Sequence, residues 1–316
     1  STNDTWGQIK GAVGPVLAKA DEAFHDGRRL LALNRLAAAH AYLRAWEYGN
    51  DPASPLRQDV EGLESEWNRL GKVLTSDIAA PSPSALDGVT PAAVRAIGEA
   101  AIPQIRVFYE ASLDYGRATT PDSGYLYLGS ALAQRELVAF CRTLHETAPS
   151  RPPVIRSIRP EIDALQGELL ALYRPPVSLD RHGEFIAASA ALKEARELDA
   201  AGLRYGALLR YLDAAFRSAA LRGVGGDVGK DAIESKLREF EARAAAGGID
   251  HTIAGIYLES ARGDVAHATA ELGPKTAAAI AADVLPRYFA ALDPPRVEAP
   301  KAKPEVTVTL VRWPYT

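Results

Sequence analysis

Gly27-Arg28-Arg29-Leu30-Leu31-Ala32-Leu33-Asn34-Arg35-Leu36-Ala37-Ala38-Ala39 and Gly202-Leu203-Arg204-Tyr205-Gly206-Ala207-Leu208-Leu209-Arg210-Tyr211-Leu212-Asp213-Ala214 follow one spacing. Gly27, Ala32, Leu36 and Ala39 correspond to Gly202, Ala207, Tyr211 and Ala214 with a constant offset, which carried backwards sets Leu17 against Leu192 and Ala20 against Ala195. Apolar residues recur at three- and four-residue intervals in both, the period of a helix that buries one face. Ala, Leu, Arg and Glu, which lose least on becoming helical, fill the pattern.

The same periodicity extends outward through Ile9 to Phe24, Leu30 to Trp46, Leu56 to Leu74, Ala92 to Tyr115, Tyr127 to Leu144 and Ile162 to Tyr173. It resumes through Phe185 to Leu198, Leu203 to Leu221, Ile233 to Ala246, Ile253 to Ala261 and Ala277 to Leu292, so an all-α protein is expected. Pro- and Gly-rich clusters such as Pro81 to Ser84, Pro149 to Pro153, Pro175-Pro176 and Gly247-Gly248 separate the helices. Thr90-Pro91, Ser178 and Asp250 stand where N-caps are expected. A second constant register sets Tyr109, Ser112, Ala131, Ala133, Leu137 and Leu144 against Tyr257, Ser260, Ala279, Ala281, Leu285 and Leu292. Two similar helical halves are therefore expected, residues 1–148 and 177–292, flanking a Pro-rich connector at 149–176 with one short helix. Arg117 to Gly124 reads as a polar turn. Beyond Pro294, Val306 to Leu310 alternates as a β-strand does, giving a linker and extended tail over 293–316.

The spacing Gly-x4-Ala-x3-(aromatic or Leu)-x2-Ala at Gly27 to Ala39 and Gly202 to Ala214 resembles the second half of a tetratricopeptide repeat. The likeness covers two stretches, lacks the Leu-Gly pair of the first repeat helix, and does not keep a strict period of ~34 residues. It implies stacked helical hairpins, small residues where hairpin helices approach, and a concave surface that binds a protein or peptide partner.

Composition narrows the function classes. A net charge of -4 without a basic stretch excludes the electrostatic footprint of a nucleic-acid binder. No apolar run reaches the ~18 residues of a transmembrane helix. Cys141 is the only cysteine, so neither an internal disulfide nor a thiolate metal cluster can form, and its apolar setting reads as a buried helix face. The chain starts at Ser1 and has 0 Met, so an upstream segment lost by processing or by trimming is expected; localisation stays open, with a periplasmic or secreted setting favoured over the cytoplasm.

Motifs for chemistry are thin. Gly223 to Lys230 invites a phosphate-loop reading, but Val224 stands in the place of the first Gly and Asp231 in that of the Mg²⁺-binding hydroxyl. Glu22-x2-His25 and Asp264-x2-His267 have the carboxylate–imidazole spacing of di-iron bundles, yet nothing selects the further carboxylates from Glu47, Glu110 and Glu136. No catalytic residue, metal or cofactor is therefore expected, and no reaction is assigned. The binding candidates are Tyr109, Asp114, Tyr115, Arg117, Asp122, Tyr125 and Tyr127, a cluster of aromatic area with polar tips. Arg204 and Tyr205, with Arg210 and Tyr211, mirror them in the other half, Tyr211 reading as inter-helix packing, and Trp313 is a candidate anchor in the tail, which is a candidate for pairing with a partner or a second copy. The expectation is a helical-repeat scaffold that binds through a groove; the alternative is a helical enzyme or small-molecule carrier with its site between the halves. A closed, partly polar pocket with perturbed ionisable groups would favour the second, an open groove with a patch of exposed Tyr and Leu the first.

Overall fold

The three- and four-residue periodicity becomes a set of helices paired as hairpins. The computed structural model describes residues 2–50, 55–56, 62–79, 83–144, 151–174, 180–224, 228–266 and 273–292. In chain order these form α1 (Thr2–His25), α2 (Arg29–Asn50), α3 (Gly62–Val73), the single turn α4 (Thr75–Ile78), α5 (Ala92–Ala118), α6 (Pro121–Thr143) and α7 (Arg159–Leu172). The second part holds α8 (His182–Ala200), α9 (Arg204–Leu221), α10 (Lys230–Ala245), α11 (Thr252–Ala266), α12 (Gly273–Ala279) and α13 (Leu285–Leu292). Ile280–Val284 joins α12 to α13 through one π-helical turn, so the continuous periodicity from Ala277 to Leu292 conceals a local change of winding. No strand forms among the described residues, where β-pairing is limited to one bridge between Arg151 and Ile249. The tail expected to be a strand lies outside the described residues.

Helices α1 and α2, α5 and α6, and α8 and α9 pack as pairs along their lengths. α2 lies on α6 and also touches α11, while α9 lies on α5 and also touches the π turn. Each half therefore leans on a helix of the other, and one continuous apolar core runs from Ala23 to Ala291.

The turns between α1 and α2 and between α8 and α9 close in the same way. Arg28 N–H donates to Ala23 O at 2.8 Å and Gly27 N–H to Phe24 O at 3.0 Å; Leu203 N–H donates to Leu198 O at 2.9 Å and Gly202 N–H to Asp199 O at 3.1 Å. Gly27 and Gly202 hold φ of 77° and 79°, the left-handed conformation that this C-terminal closure needs and a side chain resists. Gly27 was expected to sit where backbones come close, but nothing lies within 4 Å of its would-be Cβ, so its requirement is conformational. Ala32 and Ala207 are buried, whereas Leu36 is 47% exposed and its counterpart Tyr211 1%. The close approaches occur instead at Gly206, whose Cβ would lie 2.8 Å from Ala100 N of α5, and at Gly129, 3.0 Å from Ala45 Cα of α2.

The expected turn over 117–124 shrinks to Thr119 and Thr120. α5 continues to Ala118 and α6 begins at Pro121, whose fixed φ suits the first helical position and whose missing N–H costs nothing there. Thr90 supplies no side-chain cap to α5, and Ser178 lies outside the described residues.

Helix starts are instead tied to carboxylates from distant segments. Asp250 accepts from Ala92 N–H of α5 at 2.5 Å and from Thr252 N–H of α11 at 2.9 Å, while Thr252 Oγ1 accepts from Ala93 N–H at 2.9 Å. Glu99 of α5 accepts from Tyr205 and Gly206 N–H of α9, both at 2.9 Å, and from Arg95 Nε at 2.8 Å. Glu259 of α11 accepts from Leu31 N–H of α2 at 2.8 Å, and Asp199 of α8 from Ile158 N–H ahead of α7 at 3.1 Å. The first amides of a helix have no partner within it and carry partial positive charge, so a carboxylate there satisfies both needs. Burial still dominates at Glu99 and Glu259, holding both carboxyls above their ordinary range against the pull of the amides.

Candidate functional site

The hairpins do not close completely on one another. Helices α2, α5, α6, α8, α9 and α11 and the π turn leave a space of about 440 Å³, within the size range of small-molecule sites. Its apolar wall comes from small side chains on facing helices, Ala37, Ala38 and Ala41 of α2 and Ala100 and Ala101 of α5, with Leu209, Phe216 and Ile256 closing the other side. Alanine at these positions keeps helical propensity while leaving volume unfilled.

Set into that wall are charged and polar groups. α9 contributes Arg210, Asp213 and Arg217 along one stripe, α8 contributes Glu194, and α2 contributes Asn34 and Arg35. Arg210 Nε lies 3.0 Å from Glu194, and Arg217 Nε lies 3.1 Å from Asp213. Burial pushes the Glu194 carboxyl above its usual range; the nearby Arg210 opposes this and Asp213 adds to it. Burial, reinforced by Arg28, depresses the Arg35 guanidinium, with Asp264 and Glu22 opposing. Tyr257 of α11 is held well above the ordinary tyrosine range by burial, and its hydroxyl donates weakly to Leu209 O at 3.4 Å. Ile280, in the π turn, lies at the wall, and such irregular turns recur at functional sites.

The binding residues expected from sequence divide into three groups. Tyr115 and Tyr127 do not line this space but border one of its walls: their rings stack at 4.3 Å, and Tyr127 meets Phe108, a wall residue, edge-on at 5.8 Å. Burial pushes the Tyr127 hydroxyl up to about 12, with Tyr115 and then Tyr42, another wall residue, adding to the shift. Tyr109, Tyr125 and Tyr205 are buried in packing. Tyr109 stacks on Trp67 at 4.8 Å and donates to Trp67 O at 3.0 Å, while Tyr205 donates to Pro153 O at 2.8 Å beneath the Arg95 guanidinium. Asp114, Arg117 and Asp122 are exposed, with Arg117 reaching Glu64 at 3.6 Å, and Arg204 is engaged by Asp199. Trp313 lies outside the described residues.

The charged wall was not singled out by sequence reading beyond Arg210. Arg210, Asp213 and Arg217 look like an ordinary solvated stripe until α9 is seen to be buried on its other faces. That contrast, a polar stripe on an otherwise apolar helix, was the available signal. Cys141 is buried and its thiol pushed up to about 11 by that burial, which disfavours the thiolate. Glu136, considered as a metal ligand, is held by Arg44 through two bonds of 2.8 and 2.9 Å and by Tyr48 at 3.0 Å, tying α6 to α2. Among the described residues no His, Cys, Asp and Glu cluster of three or more has metal-ligand geometry, and no helix is long and apolar enough to cross a membrane. No family model, no curated protein and no solved structure matches the chain.

Proposed function

We propose that the chain is a binding protein that holds a small amphipathic molecule in the space between its two halves. One observation carries this: helices from residues 31–137 and from 194–280 face a common cavity of about 440 Å³ with ionisable groups set in an apolar wall. The charged groups are half-buried against alanine, with Arg217 exposed, so they lose part of their hydration there, and a ligand that uses them accounts for their retention. Native mass spectrometry of the gently purified protein tests the reading. A bound mass above 33.8 kDa that organic extraction removes, and that Ala38→Phe at the cavity wall prevents, is the expected result. A chain that never carries or takes up a small molecule would end it.

A second reading, capture of a protein or peptide, draws support from two exposed tyrosines, Tyr42 on the wall and Tyr115. Tyrosine offers area and a polar tip to a partner side chain.

We also infer two diverged copies of a tetratricopeptide-like unit. The identical turn hydrogen bonds at Gly27 and Gly202 and the buried Ala32 and Ala207 support it, and the exposed Leu36 counts against its first motif.

A further inference from the structure

We propose that the ligand is an organic anion, with one negative head group seated at Arg35 and an apolar body lying along the alanines of α2 and α5. This rests on the cavity being the binding site and adds the charge of what fills it. Three guanidinium groups line the space, Arg35, Arg210 and Arg217, against two carboxylates, Glu194 and Asp213. Both carboxylates already face the arginines of α9, at 3.0 and 3.1 Å. Arg35 is left over. Its Nη1 donates to Lys19 O at 2.7 Å; Asp264 and Glu22, which do not line the space, attract it and Arg28 repels it.

The wall thus carries one net positive charge in a chain whose overall charge is -4. A guanidinium keeps its proton at any physiological pH, and its planar fork matches a carboxylate, sulfonate or phosphate ester. The Asn34 amide on the same helix, and the Ser260 hydroxyl on α11, add neutral donors to the wall. A cationic ligand would meet a surplus guanidinium and no carboxylate without an arginine beside it. A purely apolar ligand would strip water from Arg35 and offer nothing in return. Of the three ligand polarities, only the anion improves on the empty wall.

Two fluorescent probes of nearly the same shape separate these cases: anilinonaphthalene sulfonate, which is anionic, and N-phenylnaphthylamine, which is neutral. On the unmodified protein the sulfonate should bind, and decanoate should displace the neutral probe at least about tenfold more effectively than decyltrimethylammonium, the margin of one charge-assisted hydrogen bond. Arg35→Gln should weaken the sulfonate at least about tenfold and leave the neutral probe within about twofold, whereas Ala38→Phe should weaken both. Equal displacement by decanoate and the ammonium compound overturns the anion assignment while leaving the cavity as the site. Binding of the neutral probe without the sulfonate likewise overturns the anion assignment, whereas failure of both probes to bind, or binding of both that ignores Ala38→Phe, overturns the cavity reading itself. Melting curves matched to wild type establish that each variant is folded, and the decanoate comparison needs no variant at all.

Discussion

Glu99 shows how much one side chain can hold together. Its carboxylate is fully buried, yet it accepts from Tyr205 and Gly206 N–H and from Arg95. Glu99→Ala would leave two buried amides without their acceptor and Arg95 with Asp87 as its remaining carboxylate, at a cost of about 3–5 kcal/mol, whereas Glu99→Gln, which keeps the shape and one acceptor, should cost clearly less. Urea denaturation of the two variants measures the difference. Arg95 is one turn away, but the two amide donors are 106 and 107 positions distant, and periodicity, which reports neighbours one turn away, carries no trace of such bonds. Cys141 is the opposite case, since its run of apolar neighbours placed it inside from the sequence alone. Its thiol should stay inert to Ellman's reagent in the native protein at pH 8 and react at once in denaturant, as expected for a group buried at 2% exposure and raised to about 11.

Helices were legible wherever an apolar stripe ran at helical spacing, and the turn glycines Gly27 and Gly202 were legible as breaks in it. Which glycine permits close packing was not, because Gly206 sits inside a helix and becomes necessary only when α5 arrives. Gly206→Ala should destabilise by about 1–3 kcal/mol, since its Cβ would fall 2.8 Å from Ala100 N and from Glu99 Cβ. Gly167→Ala in α7 meets open space and should stabilise by about 0.5–1 kcal/mol through helix propensity. Thermal melts of the pair should therefore move in opposite directions. The polar composition at 117–124 suggested a longer break than the two residues found, because Pro and Thr mark a helix start as readily as a loop. The cavity was hidden for a related reason: charged residues on a helix read as solvated, and only the arrangement of several helices shows which stripe faces inward.

Across the whole molecule the tyrosines set a limit on the alkaline side. Burial raises Tyr48, Tyr109, Tyr205, Tyr211, Tyr257 and Tyr288, and raises Tyr127 to about 12, above the ~10 of an unfolded chain. A group whose pKa is higher when folded contributes stability that is intact below the unfolded value and is lost as pH climbs through the folded one. Stability should therefore fall steeply between pH ~10 and ~12, and absorbance at 295 nm should show exposed tyrosines ionising first and the buried set only with unfolding. The helix starts impose an order in time as well. The opening amides of α2 find their acceptor on Glu259, 228 residues downstream. While the ribosome is still translating, the first hairpin can dock on α6, but the start of α2 has no such acceptor until the last quarter of the polypeptide has emerged; truncation after the connector would leave those amides waiting permanently for an anchor that never arrives.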